Sequence, residues 1–225
     1  MWRHCCGRHL DNAVRETLLP ALQARLLGAF QGNLLGRIGR FVSMSSTTGT
    51  DHVYDLIVVG GGVVGTATAW AAARNGHSAL LLEQGQFGHN QGSSAGESRI
   101  IRLTYPEAHY ANIMPRCYEL WRLIAETSGD NEILLTTGGL DFGPRDGKAF
   151  QTLLETSATC GVELEHLDAE TLARRFPGMK LPPDQLCVYS PSSGILRASR
   201  CVAALQRLAA NMGVVLKENT RVDSV

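Results

Sequence analysis

The sequence predicts an α/β protein built on a parallel sheet, with an α+β segment further along the chain. Three observations carry that reading. Leu56-Ile57-Val58-Val59 is an unbroken apolar run, as expected of a strand buried on both faces of a parallel sheet. Gly60, Gly62 and Gly65 follow at once with the spacing G-x-G-x-x-G and open a helical pattern. A second apolar run, Leu80-Leu81-Leu82, then ends in an acid, Glu83, about 20 residues past the turn. Strand, glycine turn, helix, strand and acid stand in the order of a Rossmann-like dinucleotide-binding unit.

Each part of that unit has a physical task. Gly60 lets the chain turn sharply, and Gly62 lets the backbone approach a pyrophosphate. Gly65 lets the helix pack close to the strand, so that the first helical amides, those of Val63 and Val64, aim at the phosphates. Ala69 and Ala73 are four apart and share a helix face, and Gly76 ends the helix as a left-handed cap. Glu83 is placed to accept hydrogen bonds from a ribose 2′-hydroxyl. A glycine-rich turn in an ordinary α/β domain is the alternative. It leaves the three glycines and Glu83 unexplained together.

Composition sets the limits. The 225 residues are 44% hydrophobic and 19% charged, an ordinary globular balance that permits one or two domains. Net charge is zero but unevenly spread. Residues 1–50 carry six arginines and two acids, which leaves the rest of the chain at −4. A mildly acidic body argues against nucleic-acid binding, which needs a basic face. No apolar run approaches the ~20 residues of a membrane-spanning helix. The six cysteines show neither a CxxC pair nor zinc-ligand spacing, and nothing suggests a disulfide framework, so an intracellular protein is the default. Cys117, Cys160 and Cys201 lie in or beside apolar helical patterns and are expected to be buried thiols. His4, Cys5, Cys6 and His9 fit no closed metal site, and no metal is expected.

Residues 1–50 do not read as the start of a domain. They contain no lysine and no acid after Glu16, and Leu18, Leu22, Leu26 and Ala29 form a short apolar stripe. That arginine-rich, acid-poor character is that of an organellar transit peptide, mitochondrial or plastid, with Ser43–Thr50 as a polar link. Met44 as the true start, which leaves a peroxisomal or cytoplasmic protein, and an uncleaved helical extension are the alternatives.

Beyond Glu83 a loop leads into Gly92-Ser93-Ser94-Ala95-Gly96-Glu97-Ser98-Arg99-Ile100-Ile101-Arg102. Its small residues let the backbone pass close to a cofactor and offer hydroxyl and amide groups. Arg99 and Arg102 share a face if the segment enters a helical turn, and the pair is then a clamp for a carboxylate or phosphate. On spacing alone, solvated surface arginines are the better reading. After Pro106, Ile113, Cys117, Leu120, Trp121 and Ile124 predict a helix with one core stripe, which makes Trp121 packing rather than a cofactor contact; Pro115 is tolerable only in the first turn. Thr136–Phe142 reads as a strand, Gly143–Gly147 as a turn, Lys148–Thr159 as a helix and Val162–Leu167 as a strand. Asp168 caps a short helix ending at Arg175. Leu186–Tyr189 is a strand, Ser199 an N-cap for a helix ending near Gly213, and Val214–Val222 a last strand.

Taken together, the fingerprint with Glu83 and the run Gly92-Ser93-Ser94 through Arg99-Ile100-Ile101-Arg102 resembles the sarcosine oxidase family of FAD-dependent amine oxidases. The likeness is strongest to the peroxisomal sarcosine/pipecolate oxidases. It continues through Tyr105, Glu119-Leu120-Trp121, Arg175-Phe176-Pro177-Gly178, Ser193-Gly194 and Thr220-Arg221-Val222, about 170 residues in all. The resemblance implies a Rossmann-like FAD-binding fold (51–134 and 195–225) and the start of an α+β substrate domain (135–194). The chain then corresponds to roughly the first half of an oxidase. It implies oxidation of the C–N bond of a secondary or N-methyl amino acid, with O₂ as acceptor and peroxide as product, by an enzyme that is a monomer when complete. On this resemblance Gly60, Gly62, Val63, Val64, Gly65, Glu83, Gly92, Ser93 and, through its backbone, Val222 hold FAD. Ser98 and Arg99 lie beside the flavin ring, and Arg102 pairs with the substrate carboxylate. Ala95 departs from the pattern, since relatives carry a histidine there; the departure bears on flavin reactivity and substrate preference and not on the fold. A catalytically inactive nucleotide-binding chain and an NAD-dependent dehydrogenase, which Glu83 permits, are the competing readings.

Overall fold

The computed structural model describes residues 52–224. The arginine-rich leader, the polar link and the His4–His9 cluster lie outside the described residues. Among the described residues, three small sheets carry the fold. The first is parallel, in the order β1-β2-β9, with β1 at Leu56–Val59, β2 at Ala79–Leu82 and β9 at Val215–Lys217. Helix α1 (Val63–Arg74) links β1 to β2, and α5 (Ala198–Asn211) packs beside it. Ala69 of α1 and Ala204 of α5 are fully buried, and small side chains at such points let helices approach closely. On α5 the buried residues Cys201, Val202, Ala204, Leu205, Leu208 and Ala209 recur at helical spacing, which turns one stripe to the core.

The second sheet is antiparallel, β3-β8-β4, with β3 at Arg99–Ile101, β8 at Gly194–Leu196 and β4 at Leu134–Thr136. The third, also antiparallel, is β5-β7-β6, with β5 at Gly139–Pro144, β7 at Gln185–Ser190 and β6 at Glu165–Leu167. Helices α2 (Ala108–Ser128), α3 (Lys148–Thr159) and α4 (Ala169–Arg175) complete the described chain. The main core joins Trp70, Leu81, Ile101, Tyr118, Ile124 and Leu205; a smaller one gathers Leu167, Leu172 and Cys187.

Several sequence expectations are corrected. β1 is not buried on both faces: Leu56 and Val58 pack on the core while Ile57 and Val59 are each 56% exposed, so among the described residues only one face of β1 is covered. Arg99 to Ile101 is extended rather than helical, so Arg99 and Arg102 do not share a face. The single strand expected over Thr136–Phe142 is two. Gly138, at φ +73°, breaks it, and the chain passes from the second sheet to the third. β5 runs to Pro144, within the expected turn. Pro115 stands well inside α2, whose first turn begins at Ala108, and Ile113 is exposed while Tyr118 is buried. Ser199 is not an N-cap: Arg197 holds that position, and the Ser199 hydroxyl donates to the Gly96 carbonyl at 2.8 Å. β9 is shorter than expected, and β8 was not foreseen. Cys117 and Cys160 are only half-buried, whereas Cys187 and Cys201 are buried.

Other expectations hold at the residue. Gly76 has φ +84°, and Asp168 caps α4 by accepting from the Thr171 amide at 2.7 Å. Among the described residues, no helix is long and apolar enough to cross a membrane.

Candidate functional site

The β1–α1 turn shows why glycine is required at two points. Gly60 has φ +103°, a region that side chains disfavour. A Cβ on Gly65 would lie 2.0 Å from the Gly60 carbonyl oxygen and 3.1 Å from Val58, so only glycine lets α1 sit so close to β1. At Gly62, a Cβ would meet the Ser94 hydroxyl at 2.9 Å. Gly62 is also the N-cap of α1 and contributes no side-chain cap; the Val63 amide instead donates to Ser94 Oγ at 2.9 Å. The turn brings no side chain of its own to the space in front of it, but the Ser94 hydroxyl takes up the Val63 amide, which is therefore not aimed at a phosphate as the sequence predicts.

Across that space stands Glu83, at the end of β2 and only 6% exposed. Its Oε2 accepts from the Gly61 amide at 2.7 Å and its Oε1 from the Gly85 amide at 2.9 Å. The Gly85 amide first, then the Gly61 amide and nearby His89, hold the carboxyl below the usual carboxylate range, against the opposing effect of burial. His89 Nε2 lies 3.4 Å from Oε1, while its Nδ1 accepts from the Gln91 amide at 3.1 Å. An ionised carboxylate has about four lone-pair positions, so Glu83 keeps acceptor capacity for a ligand hydroxyl.

Gly61, Gly62, Glu83, Phe87, His89, Gly92, Ser93, Ser94 and Gln206 line a cleft of about 350 Å³. A second cavity of about 150 Å³ lies among Val63, Ser93, Ser94, Arg99, Trp121 and Cys201. Trp121 therefore packs on the core and also faces this cavity. Arg99 donates to the carbonyls of Ser93, Ala95 and Ser98, which fastens the Gly92–Ser98 loop to the start of β3.

The sequence-expected residues divide accordingly. Gly62, Glu83, Gly92 and Ser93 surround the cleft, and Val63 and Arg99 line the second cavity. Gly60 and Gly65 shape the turn without lining it. Val64 is 77% exposed at the start of α1. Ser98 faces a separate groove with Arg197 and Arg200. Val222 lies past β9, outside the residues that line the cleft. The two arginines are not one clamp: Arg102 makes its ion pair with Asp141 on β5, at 2.8 Å. Sequence reasoning missed Phe87, His89, Asp141 and Gln206. His89 and Phe87 had a usable signal, since the loop after Glu83 must pass the same cleft; Asp141 and Gln206 are brought in from distant elements.

This arrangement defines a class: an α/β protein with a cleft of dinucleotide-binding type at the carboxyl end of a parallel sheet. A backbone-walled cradle at a helix N-terminus suits a pyrophosphate, and the ionised Glu83 suits an adenosine ribose. Residues 55–225 match the family model of FAD dependent oxidoreductases, and the chain belongs to that family, whose cofactor is FAD. The chain is 36% identical over 179 residues to a probable sarcosine oxidase of Arabidopsis thaliana, covering 78% of this chain and 42% of that protein. It is 32% identical to the peroxisomal sarcosine oxidase of Mus musculus over 75% of this chain and 43% of the relative. Among solved structures, NikD, an unusual amino acid oxidase essential for nikkomycin biosynthesis, superposes with a TM-score of 0.66 at 31% identity. The match covers 74% of this chain and 43% of NikD. The chain therefore spans less than half the length of these relatives.

Proposed function

We propose that the protein carrying this chain oxidises the C–N bond of a secondary or N-methyl amino acid of the sarcosine or pipecolate kind, with O₂ as acceptor and peroxide as product. The observation that carries the reading is the cleft between the Gly60–Gly65 turn and the buried, ionised Glu83, in a chain whose relatives are named sarcosine oxidases. FAD, when bound, would supply the acceptor for the hydride equivalent of the amine. Several other tasks fall to this chain. Gly62 offers backbone to the pyrophosphate, Glu83 accepts from the ribose, and Gly92 and Ser93 wall the cleft. Arg99 fastens the loop from Gly92 to Ser98 through its carbonyls. Arg102, at the far end of β3, orients the substrate carboxylate.

In this reading, residues 51–134 and 195–225 serve the cofactor and 135–194 the substrate; the third sheet, whose strands all fall within 135–194, supports that division. The test is peroxide release by the purified FAD-loaded protein with sarcosine, pipecolate and other N-methyl amino acids. Peroxide with one of them, and a raised KM with retained FAD in Arg102→Ala, is the expected result. No peroxide from any of them, or nicotinamide reduction in its place, overturns the reading.

A further inference from the structure

The ion pair between Arg102 and Asp141 joins two sheets. Arg102 follows β3 of the second sheet, and Asp141 sits on β5 of the third. Each oxygen of the Asp141 carboxylate takes one donor: Oδ1 accepts from Arg102 Nη1 and Oδ2 from the Thr104 hydroxyl, both at 2.8 Å. Thr104 is fully buried, and the Asp141 side chain is 16% exposed against 34% for Arg102. The guanidinium also lies over the Tyr105 ring, 5.1 Å from its centroid.

An arginine carries five N–H donors, and Asp141 occupies Nη1 alone. No other hydrogen bond from this guanidinium is formed among the described residues. The group is therefore held at one corner and backed by a ring, with donors left for a ligand. A guanidinium with nothing beside it would attract any anion; one paired with a carboxylate at 2.8 Å attracts a second anion less. Thr104 fixes the other oxygen of Asp141, so the carboxylate cannot turn away from Arg102 without breaking a half-buried hydrogen bond.

We propose that Asp141 is a positioning and specificity-determining residue acting through Arg102. It fixes the direction of the guanidinium and offsets its charge, so that a substrate carboxylate is selected more by hydrogen-bond geometry than by net attraction. This rests on the reading of Arg102 as the partner of the substrate carboxylate. It gives the site a zwitterionic preference: a small amino acid whose ammonium offsets its own carboxylate suffers less from Asp141 than a simple anion does.

The experiment uses the FAD-loaded protein, with acetate and acetamide as probes, read by the change in flavin absorbance. Asp141→Asn keeps the shape and an acceptor for Arg102 while removing the charge. Acetate is expected to bind about tenfold tighter to D141N than to the unaltered protein, with acetamide binding unchanged. KM for the amino acid is expected to fall by less than the acetate Kd, because the substrate ammonium loses a favourable neighbour. A merely structural role moves acetate and acetamide together. An unchanged ratio of acetate to acetamide affinity in D141N overturns the proposal. Asp141→Ser, which removes the charge with a smaller side chain, gives the same comparison where D141N is not recovered folded. Failure of the underlying reading looks different: Arg102→Ala would then leave acetate binding as it was.

Discussion

Replacing Glu83 with Gln is the sharpest perturbation of the cleft that leaves its shape alone. The carboxylate accepts from the Gly61 and Gly85 amides at 2.7 and 2.9 Å in a site only 6% exposed. A carboxamide has one oxygen, so one of those amides is left facing an NH₂ group. Losing one hydrogen bond to a buried charged acceptor costs about 1.5–3 kcal/mol, or roughly one to two decades in the folding equilibrium. The same change carries a pH signature. The folded-state pKa of Glu83 is lowered below the ordinary 4.5, so its contribution to stability is complete above that value and is lost as pH falls through the folded-state pKa. The assay is urea unfolding of wild type and E83Q at pH 7 and at steps downward from pH 5. The gap between them is expected to be full at pH 7 and to narrow as pH falls below about 4.5. Equal stability at pH 7, or a gap that does not change on acidification, refutes the account of Glu83.

Three further outcomes follow from the geometry. Gly65→Ala places a methyl 2.0 Å from the Gly60 carbonyl, so α1 must move; a stability loss of about 1–3 kcal/mol and weakened FAD binding are expected in thermal melts and flavin titrations. Arg99→Ala removes donors to three carbonyls of the 92–98 loop, and amide exchange is expected to quicken there while β1 keeps its protection. The Cys201 thiol, pushed up to about 11 chiefly by burial, is expected to resist alkylation at pH 8 in the native protein while half-buried Cys117 and Cys160 react first, as mass spectrometry of labelled peptides would show.

The β1–α1–β2 unit was legible because every signal in it is local. The apolar run, the glycine spacing, Gly76 and Glu83 each act on neighbours within one βαβ unit. The Arg99–Arg102 spacing was not, since three residues make one helix face but opposite sides of a strand, and only pairing of β3 with β8 decides between them. β8 itself is three residues long, too short for a period to appear. Gly138 was readable as a glycine, but its φ of +73° matters only because two sheets meet there. Asp141 carries no local mark at all: its partner Arg102 is 39 residues away and reaches it through the crossing of the second and third sheets. Ser199 looked like a cap by type, yet its hydroxyl bonds the Gly96 carbonyl 103 residues away, a tertiary contact that propensity does not foresee.

The central claim is that the cleft between Gly61 and Glu83 holds the adenosine half of FAD. Titration of the protein with FAD, followed by flavin fluorescence and repeated in the presence of ADP and of FMN, tests it directly. The account predicts that FAD binds, that ADP displaces it, that FMN does not, and that Gly62→Val abolishes binding. Failure to bind FAD, or displacement by FMN in place of ADP, would contradict it.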